Sequence, residues 1–115
     1  MNDESAGKAY TLPKSYLCEI KEIHEYQKLN VVSLLKDVLE DGEDKHAVGL
    51  LCELHFLNCR LDDEFRKYDL TDCEKETEEE YIITETELFV FRTILLNRHT
   101  VEKELSQKNY SVKNN

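Results

Sequence analysis

Almost nothing in this chain can stop a helix. Its 115 residues include three glycines and one proline. All-β domains and α/β loops consume turn residues, so this scarcity points to a few long helices. The longest candidate is residues 71–105. It opens on helix-start signals and a run of glutamates, enters the most apolar part of the chain, and ends polar and partly basic. It reads as one long helix around which the remainder packs.

The other arms follow in order. Residues 1–14 lack periodicity and read as a flexible arm, with Tyr10 and Leu12 able to tuck against the body. Pro13 sits where a first helix can begin, because its fixed φ suits a first turn. A first helical segment over 15–29 carries Leu17, Ile20 and Ile23 near 3.6-residue spacing. Asn30 is a good N-cap, and the apolar pattern restarts after it with a shifted phase, which predicts a kink or two shorter helices. Gly42 is a C-terminal stop inside the acidic turn of Glu40, Asp41, Glu43 and Asp44. Asp44 then caps a helix over 45–69 with the stripe Leu50, Leu54, Leu57, Leu61, Phe65 and Tyr68.

Two capping-box patterns precede the third arm: Thr71 to Glu74, and Thr77 to Glu80. Acids in a first turn also suit the helix dipole. The apolar residues from Tyr81 to Leu96 cover more than one face, which predicts burial on several sides. Asn97 to Thr100 reads as a second kink. A local alternative is strand: Tyr81-Ile-Ile-Thr84 and Glu87-Leu-Phe-Val-Phe91 are rich in β-branched and aromatic residues. No turn residues separate the two runs to make a hairpin, so helix is preferred over Tyr81 to Phe91. Residues 108–115 read as a frayed tail. The expected fold is all-α: an antiparallel bundle of three long arms over 15–107, with four to five helices if the first and third arms break near Asn30 and Asn97.

Charge limits the partners. The net charge is −10. Bare nucleic acid and anionic membrane both need a basic face, so neither is expected. Residues 60–80 hold ten acids against four bases, a local net of −6. Capping and the dipole account for a few of these glutamates, not for all ten acids. The surplus marks a protein-binding surface made of Asp62, Asp63, Asp69, Asp72, Glu74, Glu76, Glu78, Glu79 and Glu80, suited to a basic partner. In composition alone the chain resembles the acidic phage-borne anti-restriction and anti-CRISPR inhibitors, which would imply nucleic-acid mimicry toward a nucleic-acid-binding protein.

No secretory or membrane-spanning segment is legible, so the thiols of Cys18, Cys52, Cys59 and Cys73 are expected reduced and the chain cytoplasmic. Two disulfides are the formal alternative. Cys52, His55 and Cys59 share one helical flank and are candidate zinc ligands, but core packing is the ordinary fate of such residues. A di-iron bundle needs Glu-x-x-His pairs. The chain has Glu22-Ile-His24 and Glu53-Leu-His55, which point to different faces. No cofactor is expected. Tyr16, Tyr26 and Tyr68 are candidates to line an interhelical pocket for a small ligand.

Arg92 and His99 are separated by Thr93-Ile-Leu-Leu-Asn-Arg98. This resembles the arginine–histidine pattern of HEPN domains, small all-α and often dimeric proteins of which many cleave RNA. The resemblance implies Arg92 as a phosphate contact and His99 as a catalytic imidazole. It covers eight residues, and Thr93 stands where the family commonly has Asn or Asp.

The reading favoured on these grounds is a small, acidic, non-enzymatic regulator or inhibitor that binds a basic protein partner, with a homodimer expected from the unmatched apolar length of the third arm. The alternatives are a HEPN-like ribonuclease or nucleotide-binding dimer, and a helical bundle that binds a small ligand between its helices.

Overall fold

A computed structural model describes residues 8–42, 44–75 and 77–112. In chain order the elements are strand β1 (Ala9–Pro13), helix α1 (Lys14–Asp41), helix α2 (Lys45–Phe65), strand β2 (Glu80–Thr84) and helix α3 (Glu85–Gln107). The protein is mostly helical, as expected, but a small sheet has taken part of the third arm. Among the described residues no helix is long and apolar enough to cross a membrane.

Helix α1 begins directly after Pro13, whose φ of −62° and ψ of 140° place it in extended backbone. The Lys14 N–H, which lies at the helix start and has no partner in the helix, donates to the Glu79 carbonyl at 2.9 Å. Beyond the buried Lys14, the buried residues of α1 are Leu17, His24, Val31 and Val38, which recur every seven positions, the repeat of one helix face. Contrary to expectation the helix runs unbroken through Asn30, whose amide reaches the Val112 carbonyl at 3.4 Å instead of capping a new helix. Gly42 stops it in the left-handed conformation at φ 71°.

Asp44 caps α2 as expected, accepting from the Ala47 N–H at 3.0 Å. Helix α2 buries Leu50, Leu51, Leu54, Leu57, Leu61 and Phe65 because it lies between the other two helices. Helices α1 and α3 each pack mainly on α2. It ends at Phe65 rather than Asp69, in turns closed by Lys67 N–H to Glu64 O and Tyr68 N–H to Phe65 O.

The largest correction concerns residues 71–84: none of those described there is helical. Asp69 Oδ1 accepts from both the N–H and the hydroxyl of Thr71, and Asp72 takes a φ of 57°. Aspartate tolerates that left-handed conformation, but a helix cannot pass through it. The Thr77 hydroxyl accepts from the Glu79 N–H and closes a short turn. Both apparent capping boxes are therefore turn chemistry.

Strand β2 follows, antiparallel to β1, with Tyr10 opposite Ile83 and Leu12 opposite Tyr81. Its alternation is that of a half-buried strand: Ile83 is buried and Ile82 exposed. The real capping box is Thr84 with Glu87: each side chain serves the other's backbone N–H. Helix α3 then runs unbroken past Asn97. Phe91, Ile94, Arg98, Val101 and Leu105 face inward at steps of three and four. Phe89 and Leu96 are exposed, so this helix is buried along one stripe only.

The described parts of the expected arm and tail have defined positions. Residues 9–13 of the supposed arm form β1. In the supposed tail, Tyr110 N–H returns to the Leu105 carbonyl and Val112 is buried. Residues 1–7, Glu43, Glu76 and residues 113–115 lie outside the described residues.

Candidate protein-binding cleft

One flank of α1 carries Cys18, Lys21, Glu25 and Lys28 at steps of three and four, with Glu19 and Glu22 beside them. The connection between α2 and β2 folds back across this flank. Leu70 is buried under it. Tyr68 lies between Tyr81, which it meets edge-on at a ring-centroid distance of 5.6 Å, and Phe91, on which it stacks at 6.4 Å. The Tyr81 hydroxyl donates to the Asp69 carbonyl. A disulfide joins Cys73 to Cys18, 55 positions earlier. The expectation of four reduced thiols is thereby corrected: the fold brings this one pair together, while Cys52 and Cys59 remain free and exposed.

Between α1 and the connection lies a hollow of about 730 Å³, bordered by Glu19, Glu22, Glu25 and Glu74 with Lys21 and both disulfide cysteines. A second hollow of about 430 Å³ shares Lys21, Glu25 and Leu70 with it and adds Asp62, Asp69, Lys28 and Arg66. The joint cleft thus presents six carboxylates against three cations.

The acids singled out from the sequence do not form one surface. Asp69 and Glu74 line the cleft, and Asp62 lies at its inner end. Asp63 does not line the cleft but pairs at 2.6 Å with Arg66, which does. Glu79 lies 3.8 Å from Lys14. Asp72, Glu78 and Glu80 are exposed on the connection and the strand. Glu76 lies outside the described residues. Glu19, Glu22 and Glu25 of α1 are not among the acids singled out from the sequence. Their role depends on the connection that crosses them, and only the disulfide partner Cys18 among them hinted at it.

Asp62 also belongs to a buried polar network that sequence reasoning missed. Its Oδ1 accepts from His24 Nε2 at 2.6 Å and its Oδ2 from Lys28 Nζ at 3.1 Å. On the far side of the imidazole, Arg98 Nη1 lies 3.3 Å from His24 Nδ1 and donates to Asn58 Oδ1 at 3.2 Å, while its Nη2 donates to Gln27. His24, Asn58 and Arg98 are all buried. A neutral imidazole with its proton on Nε2 satisfies both contacts. Burial holds the His24 pKa below its ordinary value, outweighing the opposing pull of Asp62. For Asp62, burial works upward, but the hydrogen bonds from His24 and Lys28 prevail and lower it. Burial also lowers Arg98. One signal was available: His24, Asn58 and Arg98 occupy core phases of their helices, 24 within 17-24-31-38 and 98 within 94-98-101.

His24, Glu25 and Asp62 bring three potential ligand atoms within 4.8 Å. The Lys28 ammonium, however, sits 3.3 Å from Glu25 and 3.1 Å from Asp62. It already supplies the cation that these carboxylates attract, so the group is a lysine-bridged ion cluster and not a metal centre. Cys52, His55 and Cys59 are exposed on α2, against the expectation that they pack in the core, with Cys59 Sγ 3.8 Å from His55 Nε2. Arg92 and His99 border two different hollows on exposed parts of α3. Seven residues of helix separate them by about 10 Å. Tyr26 is exposed, and Tyr68 belongs to the aromatic stack described above. No protein-family model, curated protein or solved structure matches the chain.

Proposed function

We propose that this protein is a non-enzymatic interaction module whose acidic cleft receives a Lys- or Arg-bearing segment of a protein partner, as a small regulator or inhibitor. One observation carries this reading. Glu19, Glu22 and Glu25 of α1 converge with Glu74 of the connection around one open hollow, and Asp69 lines the adjoining hollow that shares Glu25 with it. Carboxylates from two chain segments facing a shared groove favour a cationic side chain inserted between them. The low-dielectric helix wall strengthens that attraction relative to open surface. The overall charge of −10 speeds the approach of a basic partner and disfavours nucleic acid itself.

The test uses a short arginine-rich peptide and affinity capture of partners from host lysate. Peptide affinity should fall steeply with salt. It should fall at least tenfold in the Glu19→Lys, Glu22→Lys, Glu74→Lys triple variant, and the captured basic protein should be lost with it. Reversal of Glu53 and Glu104, outside the cleft, should change little. Equal weakening by the two sets of reversals would mean a diffuse charge effect and would remove the cleft from the proposal.

A further inference from the structure

On the opposite flank of α1 the molecule carries a third hollow, of different character. Its volume is about 290 Å³, near the lower bound of small-ligand sites. Tyr16 and Ile20 of α1 face Leu88 and Leu95 of α3 across it, and Ile83 and Phe91 form its floor. Tyr16, Leu88 and Leu95 are exposed although they are apolar or aromatic. The floor side chains Ile83 and Phe91 are buried.

Two features restrict what can fill it. The hollow is short. Leu12 of β1 lines the end nearest the sheet, and farther along the helices, beyond the lining, the Arg98–Gln27 hydrogen bond ties α3 to α1. The wall from Leu88 to Leu95 is about 10 Å long at the helical rise. A partner helix of several turns would overrun a trough this short, whereas a short chain fits within it. The second feature is charge. Arg92 is the one charged residue of the lining, and among the described residues it makes no ion pair. A guanidinium at the edge of an apolar trough selects a carboxylate with an apolar tail.

We infer that this hollow binds an amphipathic monocarboxylate, its short acyl or aryl chain lying over Ile83 and Phe91 and its carboxylate held by Arg92. The acidic cleft has no part in this site, so each can fail without the other.

Decanoate is the probe, with decanol as its uncharged counterpart. Below its micellar range, decanoate should give saturable shifts in the methyl resonances of Ile20, Ile83, Leu88 and Leu95. Arg92→Gln should weaken decanoate binding at least fivefold while leaving decanol unchanged. Leu95→Trp, which fills the hollow, should weaken both, with a circular dichroism spectrum that matches wild type. Absence of saturable shifts at these methyls, or equal decanoate affinity in Arg92→Gln, would overturn the inference. So would a dimer in sedimentation velocity that shields the same methyls without ligand, since the occupant would then be a second copy of the chain.

Discussion

His24 Nε2 lies 2.6 Å from Asp62 Oδ1 while its Nδ1 faces Arg98 Nη1 at 3.3 Å, so the imidazole is held between an anion and a cation. Only the neutral ring suits both neighbours, because a proton on Nδ1 would point at the guanidinium.

Acid should therefore destabilise the fold in two stages. The folded pKa of His24 is depressed below 6.5, so the unfolded chain binds its proton first. Stability from this group is present above pH 6.5 and is lost as pH falls through the folded value. Asp62 is likewise depressed below 3.8 and adds a second loss at stronger acid. Urea midpoints measured from pH 8 to pH 5 should decline below about 6.5. That decline should be absent in His24→Gln. A wild-type midpoint that rises toward pH 5 would show that His24 is protonated in the native state.

Arg98 should be the most costly residue of the network to remove. Arg98→Met keeps the length of the apolar stem but leaves His24 Nδ1, Asn58 Oδ1 and Gln27 without their shared donor. Stranding buried acceptors costs about 3 kcal/mol in total. Denaturant unfolding of Arg98→Met, Asn58→Leu and the double variant should give a double loss well below the sum, because both touch one network. Additive losses would mean that Arg98 acts through packing alone.

The Cys18–Cys73 disulfide should hold the cleft wall in place. Beyond Leu70 the described residues of the connection form neither helix nor strand until β2, and the disulfide ties it covalently to α1. In the chain-entropy account a closure of this length stabilises by about 4 kcal/mol. Alkylation of the oxidised native protein should label Cys52 and Cys59 alone, and all four cysteines after reduction. Reduction should also weaken binding of the arginine-rich peptide several-fold. Labelling of all four cysteines before reduction would exclude the bridge.

What could be read from the sequence was local. Gly42 and Asp44 bracket a turn because each acts within four residues of itself, and the Leu50 to Phe65 stripe needs only helical periodicity. What stayed hidden depends on distant partners. Ile82 and Ile83 form a strand because β1, some seventy positions earlier, offers an edge to pair with. The missing hairpin turn was thus no argument against a strand, since the pairing is not a hairpin. Asn30 looked like a cap until the returning tail brought the Val112 carbonyl to its amide. The cleft was half legible: its acids stand out in residues 60–80, but the wall of Glu19, Glu22 and Glu25 depends on how the connection folds back.

The start of α3 offers the sharpest separation between sequence signal and structure. Thr77 and Thr84 are each followed three residues later by a glutamate, so both match a capping box. Only Thr84 is used as one: its hydroxyl accepts from the Glu87 N–H at 3.1 Å while Glu87 returns to the Thr84 N–H at 3.0 Å. Residues after Thr77 go instead into β2, where Ile83 fills the core opposite Tyr10. Thr84→Ala should therefore cost about 1 kcal/mol, the usual loss for an N-cap. Thr77→Ala should cost no more than a few tenths, the usual range for a surface change. Amide exchange resolves the cause: protection should fall in the first turn of α3 for Thr84→Ala and stay unchanged for Thr77→Ala. A larger loss at Thr77 would place the helix start there and remove β2 from the fold.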